Sequence, residues 1–168
     1  MHMSNKIFMF MNESLKKIVA KYTMPTENGV EVDIKALFAD DDFRQQVIAK
    51  IIKNIKPEEC VVIPAFDSRS RDLHLGQLIN ELALTLQVKT LVTGNVENFM
   101  RLKIRPKKVV IIKQSFREGK QLQEQIATLR KMNCNVRVLC LMAHSKSKAK
   151  AFAKEHRVRV TVLTELDA

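Results

Sequence analysis

The stretch "VVIIKQSFREGK", residues 109–120, decides how the chain is read. Four aliphatic residues end at Lys113, and a polar loop then passes through Gly119 into a segment with helical character. A strand that feeds a loop and then a helix is the place where α/β proteins hold phosphate groups, because the first amides of the helix point outward with no partner of their own. Working outward, "CVVIPAF" (60–66), "VKTLVTG" (88–94), "NVRVLCLMA" (135–143) and "RVRVTVL" (157–163) are short β-branched or aliphatic runs of the kind buried in sheets. Between them, "HLGQLINELALTL" (74–86) places Leu75, Leu78, Ile79, Leu82 and Leu86 along one helical side, and "KQLQEQIATLRKM" and "SKAKAFAKEH" are also helix-like. Strand and helix alternate from residue 60 onward. The expectation is an α/β fold: a mostly parallel central sheet, helices on both faces, right-handed crossovers.

Before that alternation, "NESLKKIVAKY" (12–22) sets Leu15, Ile18, Val19 and Tyr22 at helical spacing, with Asn12 or Ser14 as cap. The break "TMPTENG" leads to "VEVDI", which alternates as a short strand. "ADDDFRQQVIAKIIKNI" is a helix whose Asp40, Asp41 and Asp42 read as capping and dipole-favoured residues rather than metal ligands. No repeat or low-complexity linker divides the 168 residues, so one domain is expected over 1–168, with 1–40 as an N-terminal helix and strand subregion.

Composition narrows the classes. Nearly half of the residues are apolar, with four Gly and four Pro, so the chain is neither fibrous nor disordered. No apolar run approaches the roughly 18 residues of a membrane span, and the reading is a cytoplasmic protein with no membrane partner. Cys60, Cys134 and Cys140 are widely spaced in apolar runs and read as reduced core thiols. Net charge is +11, and residues 101–168 carry 17 basic and 5 acidic side chains against 12 and 13 in residues 1–100. Such asymmetry points to a face that meets phosphates, polyanions or an acidic partner.

The order of elements and several phrases resemble the type I phosphoribosyltransferases, and among them the orotate phosphoribosyltransferases. "EVDIKALFADDDFRQQVIAKIIKNI" is similar to the family's N-terminal strand, link and helix; "CVVIPAFDSRSRDLHLGQLINELAL" to its strand, pyrophosphate loop and helix; "KKVVIIKQSFREGKQLQEQIATLRKMNCNVRVLCLMAH" to the strand, loop, helix and strand around the phosphoribosyl pyrophosphate motif. "HRVRVTVLTEL" is similar to the last strand, so the resemblance spans nearly the whole chain.

The resemblance implies a Rossmann-like single domain, a homodimer, and transfer of a phosphoribosyl group to orotate with magnesium. The motif residues depart from that chemistry. The family's two adjacent acids fall on Lys113 and Gln114, and its Thr- and Gly-rich loop on Arg117, Glu118, Gly119, Lys120 and Gln121, beside Ser115; only Gly119 keeps the pattern. Where two carboxylates would engage ribose hydroxyls and support magnesium, a cation and an amide stand, a change of about three charge units. Gly119, the following amides, Arg117 and Lys120 compose a candidate anion site.

The pyrophosphate loop falls on Phe66, Asp67, Ser68, Arg69 and Ser70, followed by Arg71, without a glycine. The connection "GNVENFMRLKIRPKK" is too short for the family's closing loop and has no His; Met100, Leu102 and Ile104 alternate with Arg101, Lys103 and Arg105 as in an exposed edge strand or arm. His74, His144 and His156 read as capping or surface residues. Three functions follow: a degenerate paralogue that binds a nucleotide or phosphate ligand with weak or no catalysis and no cofactor; an active orotate phosphoribosyltransferase of pyrimidine synthesis, with Mg²⁺; and a nucleic-acid-binding regulator using the basic C-terminal part, for which stacking aromatics are scarce.

Overall fold

The computed structural model describes residues 8–10, 13–56, 59–62, 73–86, 92–93, 96–103, 106–116 and 119–166. Its centre is set by the most apolar strands: β6 (Lys108–Phe116), β7 (Asn135–Ala143) and β8 (Arg159–Glu165). Each is buried along nearly its whole length, as expected of parallel strands covered on both faces. Around them lie β4 (Glu59–Val62), β5 (Val92–Thr93) and β1 (Phe8–Phe10), giving a six-stranded sheet in the order β1-β8-β7-β6-β4-β5 in which every pairing is parallel. The mostly parallel sheet read from the sequence is thus present. The N-terminal apolar patch supplies an edge strand, Phe8–Phe10 against Val160–Val162, that a three-residue run does not announce.

Strand side chains alternate between faces with period two, and each face has its own helices. Val110, Ile112, Leu139 and Leu163 pack with α1 (Glu13–Ala20), α2 (Ile34–Ala39), α3 (Asp41–Asn54) and α4 (Leu73–Thr85). Val109, Ile111, Val138, Cys140, Val160 and Val162 pack with α5 (Val96–Met100), α6 (Lys120–Lys131) and α7 (Lys146–Glu155). Leu75, Leu78, Ile79 and Leu82 of α4 are buried, and Leu15, Ile18 and Val19 of α1 likewise, as their spacing predicts.

Asp40 is the cap expected of it: its carboxylate accepts from the Phe43 amide at 3.0 Å and from the Tyr22 hydroxyl at 2.6 Å. The Tyr22 hydrogen bond and the Phe43 amide hold that carboxyl below its ordinary range. Asp41 pairs with Arg44. Ser14 lies inside the first turn of α1 and not at its cap position, and its hydroxyl donates to Gln46 of α3 at 2.9 Å; Asn12 lies outside the described residues.

Three local readings change. "TMPTENG" is not a bare break: β2 (Thr23–Thr26) pairs antiparallel with β3 (Gly29–Val32) in a hairpin, and its Pro25 hides the strand pattern. A separate short helix, α2, intervenes before α3, capped by Asp33, which accepts from the Ala36 amide at 3.0 Å. The alternation from Met100 to Arg105, read as an exposed edge strand or arm, follows directly on a helix, Val96 to Met100, formed because Val96 and Phe99, a helical turn apart, are both buried against the second face; Arg101, Leu102 and Lys103 leave it in a turn and not a strand, and Ile104 and Arg105 lie outside the described residues.

At the sheet's N-terminal edge, Arg137 donates from Nε to Glu59 Oε1 at 2.9 Å and from Nη2 to Oε2 at 2.7 Å, and also to the Asn54 carbonyl, tying β7 to β4 and the end of α3. Burial pushes the Glu59 carboxyl up, but the Arg137 hydrogen bonds, the Lys56 amide and the nearby positive charges outweigh it and leave it lowered. Among the described residues no helix is long and apolar enough to cross a membrane.

Candidate functional site

The crossover from β4 leads outward to β5, whereas β6 lies on β4's other side and the chain then runs outward through β7 and β8. The winding therefore reverses between β4 and β6, and open α/β sheets bind ligands in the crevice beyond the C-terminal ends of such strands. The described candidates of the phosphoribosyl pyrophosphate motif, Lys113, Gln114, Ser115, Gly119, Lys120 and Gln121, fall at this end of β6. The candidates of the pyrophosphate loop, Asp67, Ser68, Arg69, Ser70 and Arg71, follow β4 and lie outside the described residues, as do Arg117 and Glu118.

Lys113 is a strand residue, as the run of apolar residues ending there implied, but β6 continues three residues past it, so Gln114, Ser115 and Phe116 are strand as well. The strand continues because β7 offers a full-length partner: Lys113 pairs with Cys140, Ser115 with Met142 and Phe116 with Ala143. Lys113 is half-buried and its charge bears on the buried Cys140 thiol, which donates to the Met142 carbonyl at 2.9 Å and which burial pushes up to about 12. That sulfur is a neutral core thiol at neutral pH. Gln114 is buried, and its Oε1 has no hydrogen-bond partner among the described residues. A buried amide oxygen in that state favours a donor from whatever occupies the crevice.

The loop then reaches Gly119, the N-cap of α6. Its φ of −96° is open to any residue, so backbone conformation does not call for glycine there. Space does. A Cβ at residue 119 would lie 2.2 Å from Cε2 and 2.3 Å from Cδ2 of Phe152, whose ring, brought in by α7, also packs edge-on against Phe116 at 5.3 Å and against His156 at 4.4 Å. The one residue that keeps the family pattern is thus accounted for by a neighbouring aromatic ring. Among the described residues no side chain caps α6, and Lys120 and Gln121 are exposed at its first turn.

Beside this crevice, the ends of β7 and β8 enclose an open groove of about 590 Å³ lined by His144, Ser145, Lys146, Ser147, Lys150 and Glu165. Ser145 caps α7, its hydroxyl accepting from the Lys148 amide at 3.3 Å. These residues were not singled out in the sequence as a group, and only the parallel register of β7 and β8 brings Ser145 and Glu165 together. His74 is apart from them, its ring 5.8 Å from Phe38, and His156 is the C-cap of α7. Cys134 and Cys140 are buried. Among the described residues, no group of three or more His, Cys, Asp or Glu side chains could hold a metal ion. Lys113 and Gln114 do not fit magnesium, since one is a cation and the other supplies at most a neutral oxygen where the ion takes carboxylates.

No protein-family model matches the chain, and no curated protein sequence does. Solved structures do. An orotate phosphoribosyltransferase from Aeropyrum pernix is 16% identical with a TM-score of 0.58, over 90% of this chain and 94% of that one. An adenine phosphoribosyltransferase from Rhodothermus marinus is 13% identical with a TM-score of 0.61, over 92% and 100%. The orotate phosphoribosyltransferase of Mycobacterium tuberculosis, in complex with 5-phospho-alpha-D-ribosyl 1-diphosphate, is 8% identical with a TM-score of 0.56, over 91% and 87%. Orotate and adenine enzymes are matched alike. The chain has the fold of the type I phosphoribosyltransferases.

Proposed function

We propose that this protein binds a phosphate-bearing small molecule, a nucleotide or a phosphoribosyl compound, in the crevice between the ends of β4 and β6, and that it has little or no phosphoribosyltransferase activity. One observation carries the reading. The strand end that would present two carboxylates presents Lys113 and the buried Gln114, whose amide oxygen has no partner among the described residues. A cation there attracts a phosphate and repels magnesium. The first turn of α6, which no described side chain caps, adds outward amides. The solved M. tuberculosis neighbour with the phosphoribosyl diphosphate in place supports the class of ligand. A homodimer, a cytoplasmic setting and descent from a pyrimidine-synthesis enzyme belong to the same reading through the family resemblance.

The test is calorimetric titration with phosphoribosyl pyrophosphate, in magnesium and in EDTA. Binding of equal strength in both is expected, with no orotate-dependent release of pyrophosphate. Binding that requires magnesium, or turnover with orotate, overturns the reading in favour of an active transferase.

A further inference from the structure

The connection between β6 and α6 is braced from outside by α7. The buried stripe of α7 is Ala149, Phe152 and Ala153, so two methyl groups let the helix lie close to the sheet and one large ring projects from it. That ring meets the chain on both sides of residues 117 and 118. On the strand side its centroid is 5.3 Å from that of Phe116, edge to face at 65°. On the helix side it lies so near Gly119 that a Cβ there would come within 2.2 and 2.3 Å of two ring carbons. Phe152 is 7% exposed and Phe116 2%, so both rings are fixed by the packing around them. The His156 ring, 4.4 Å from that of Phe152, backs the wedge from the end of α7.

The two residues that the ring touches are anchored on their far sides. The Phe116 carbonyl accepts from the His144 amide at 3.2 Å, which fixes the end of β6 to the end of β7, and the Gly119 carbonyl accepts from the Gln123 amide at 2.7 Å, which opens α6. Phe152 therefore sets the gap between a strand end and a helix start. The strand end carries Gln114, whose buried amide oxygen has no hydrogen-bond partner among the described residues. The helix start presents its first amides, which no described side chain caps. An anion held between the two needs their spacing kept to a fraction of an ångström, and tightly packed side chains behind a site are what keep it so.

We propose that Phe152 is a positioning residue for the phosphate site of the β4–β6 crevice: its ring, wedged between Phe116 and Gly119, holds the first turn of α6 at the distance from β6 at which a phosphate is bound. The inference rests on the function proposed above and deepens it, by placing a determinant of ligand affinity on α7, 33 positions along the chain from Gly119. The action is steric, since a phenyl ring has no donor to offer a phosphate. Gly119 is the other half of the same device, because any side chain there would displace the ring.

Calorimetric titration with phosphoribosyl pyrophosphate in EDTA tests it on the full chain, in the unmodified protein, Phe152→Val, Gly119→Ala and the double variant, at a temperature where each is fully folded. Phe152→Val and Gly119→Ala should each weaken binding about tenfold, the worth of one charge-assisted hydrogen bond. The double variant should bind more tightly than Phe152→Val alone, because the methyl at residue 119 then fills the place the ring left. Phe152→Leu, a smaller loss of volume, gives the single-variant comparison if Phe152→Val does not fold. Val47→Ala, which opens a cavity on the other face of the sheet, should lower the melting temperature and leave the affinity unchanged. Without ligand, hydrogen exchange should quicken in the first turn of α6 in the Phe152 variant, and more than in its last turn. Affinity in the Phe152 variant equal to that of the unmodified protein, an equal loss in Val47→Ala, a double variant weaker than both single ones, or unchanged exchange in the first turn would each overturn the inference and leave the proposed function standing. No binding by the unmodified protein overturns the proposed function, and the inference with it.

Discussion

Gly119→Ala tests whether the glycine in the phosphate-loop position is there for a ring or for a ligand. The added Cβ would sit 2.2 and 2.3 Å from two ring carbons of Phe152, where carbon atoms rest at about 3.5–4.0 Å. The ring must therefore retreat by more than an ångström, yet it is only 7% exposed and is braced by Phe116 and His156. Forcing an extra methyl into such packing costs about 1–3 kcal/mol. Against this, alanine restricts the unfolded chain, worth about 0.4–1 kcal/mol where the native φ suits it, as −96° does. The net expectation is a destabilisation of about 1–2 kcal/mol, or about 2–8 °C in melting temperature for a chain of this size. Urea unfolding followed by circular dichroism reads it. The same substitution in a Phe152→Val background, where the ring atoms it meets are gone, should be neutral or stabilising by up to about 1 kcal/mol. Gly119→Ala that is as stable as the unmodified protein, or that costs the same in both backgrounds, would refute the packing explanation and return the glycine to close approach of a ligand.

Other outcomes follow from the same geometry. Lys113→Asp with Gln114→Asp should create magnesium-dependent binding of phosphoribosyl pyrophosphate by calorimetry, and a folded double variant that gains none would show that more of the crevice differs than these two positions. Arg137→Met should cost about 3–5 kcal/mol in urea unfolding at neutral pH, because it strands the buried Glu59 carboxylate. The folded-state pKa of Glu59 is lowered, so its contribution is present above the ordinary carboxylate range and lost as pH falls through the lowered value; Glu59→Gln should flatten that acid-side loss. Asp40→Ala should cost about 0.5–2 kcal/mol for the cap and a further 0.5–1.5 kcal/mol or so for the Tyr22 hydrogen bond, and Tyr22→Phe only the second part. Cys140, pushed to about 12 by burial, should resist thiol reagents at pH 8 until the protein unfolds, as mapped by mass spectrometry.

The fold was legible because its strongest signals are local and periodic. The buried runs of β6, β7 and β8 and the helical stripe of α4 are patterns that neighbouring residues impose on one another, and the resemblance placed them in order. What escaped were elements whose pattern is short or interrupted. β1 has three residues, β2 contains a proline, and α5 shows as a helix only through the burial of Val96 and Phe99 against a distant sheet face. The end of β6 was placed three residues early, at Lys113, because polarity at Gln114 and Ser115 looked like a loop, whereas the backbone is held by β7 whatever those side chains carry.

The site was legible in another sense. Substitution of the acids by Lys113 and Gln114 is visible in the sequence, and the chemistry that change removes follows from residue type alone. The reason for Gly119 is not visible there, because Phe152 is 33 positions away and only the return of the chain through β7 and α7 brings its ring over the loop. The same holds for the edge where β6, β7 and β8 begin. Its cations come from segments scattered between Lys56 and Arg159, and the charge asymmetry of the sequence did not show that they meet there. In a parallel sheet, every helix returns its C-terminus to the edge where the next strand starts, so cations that cap helices are gathered there by topology.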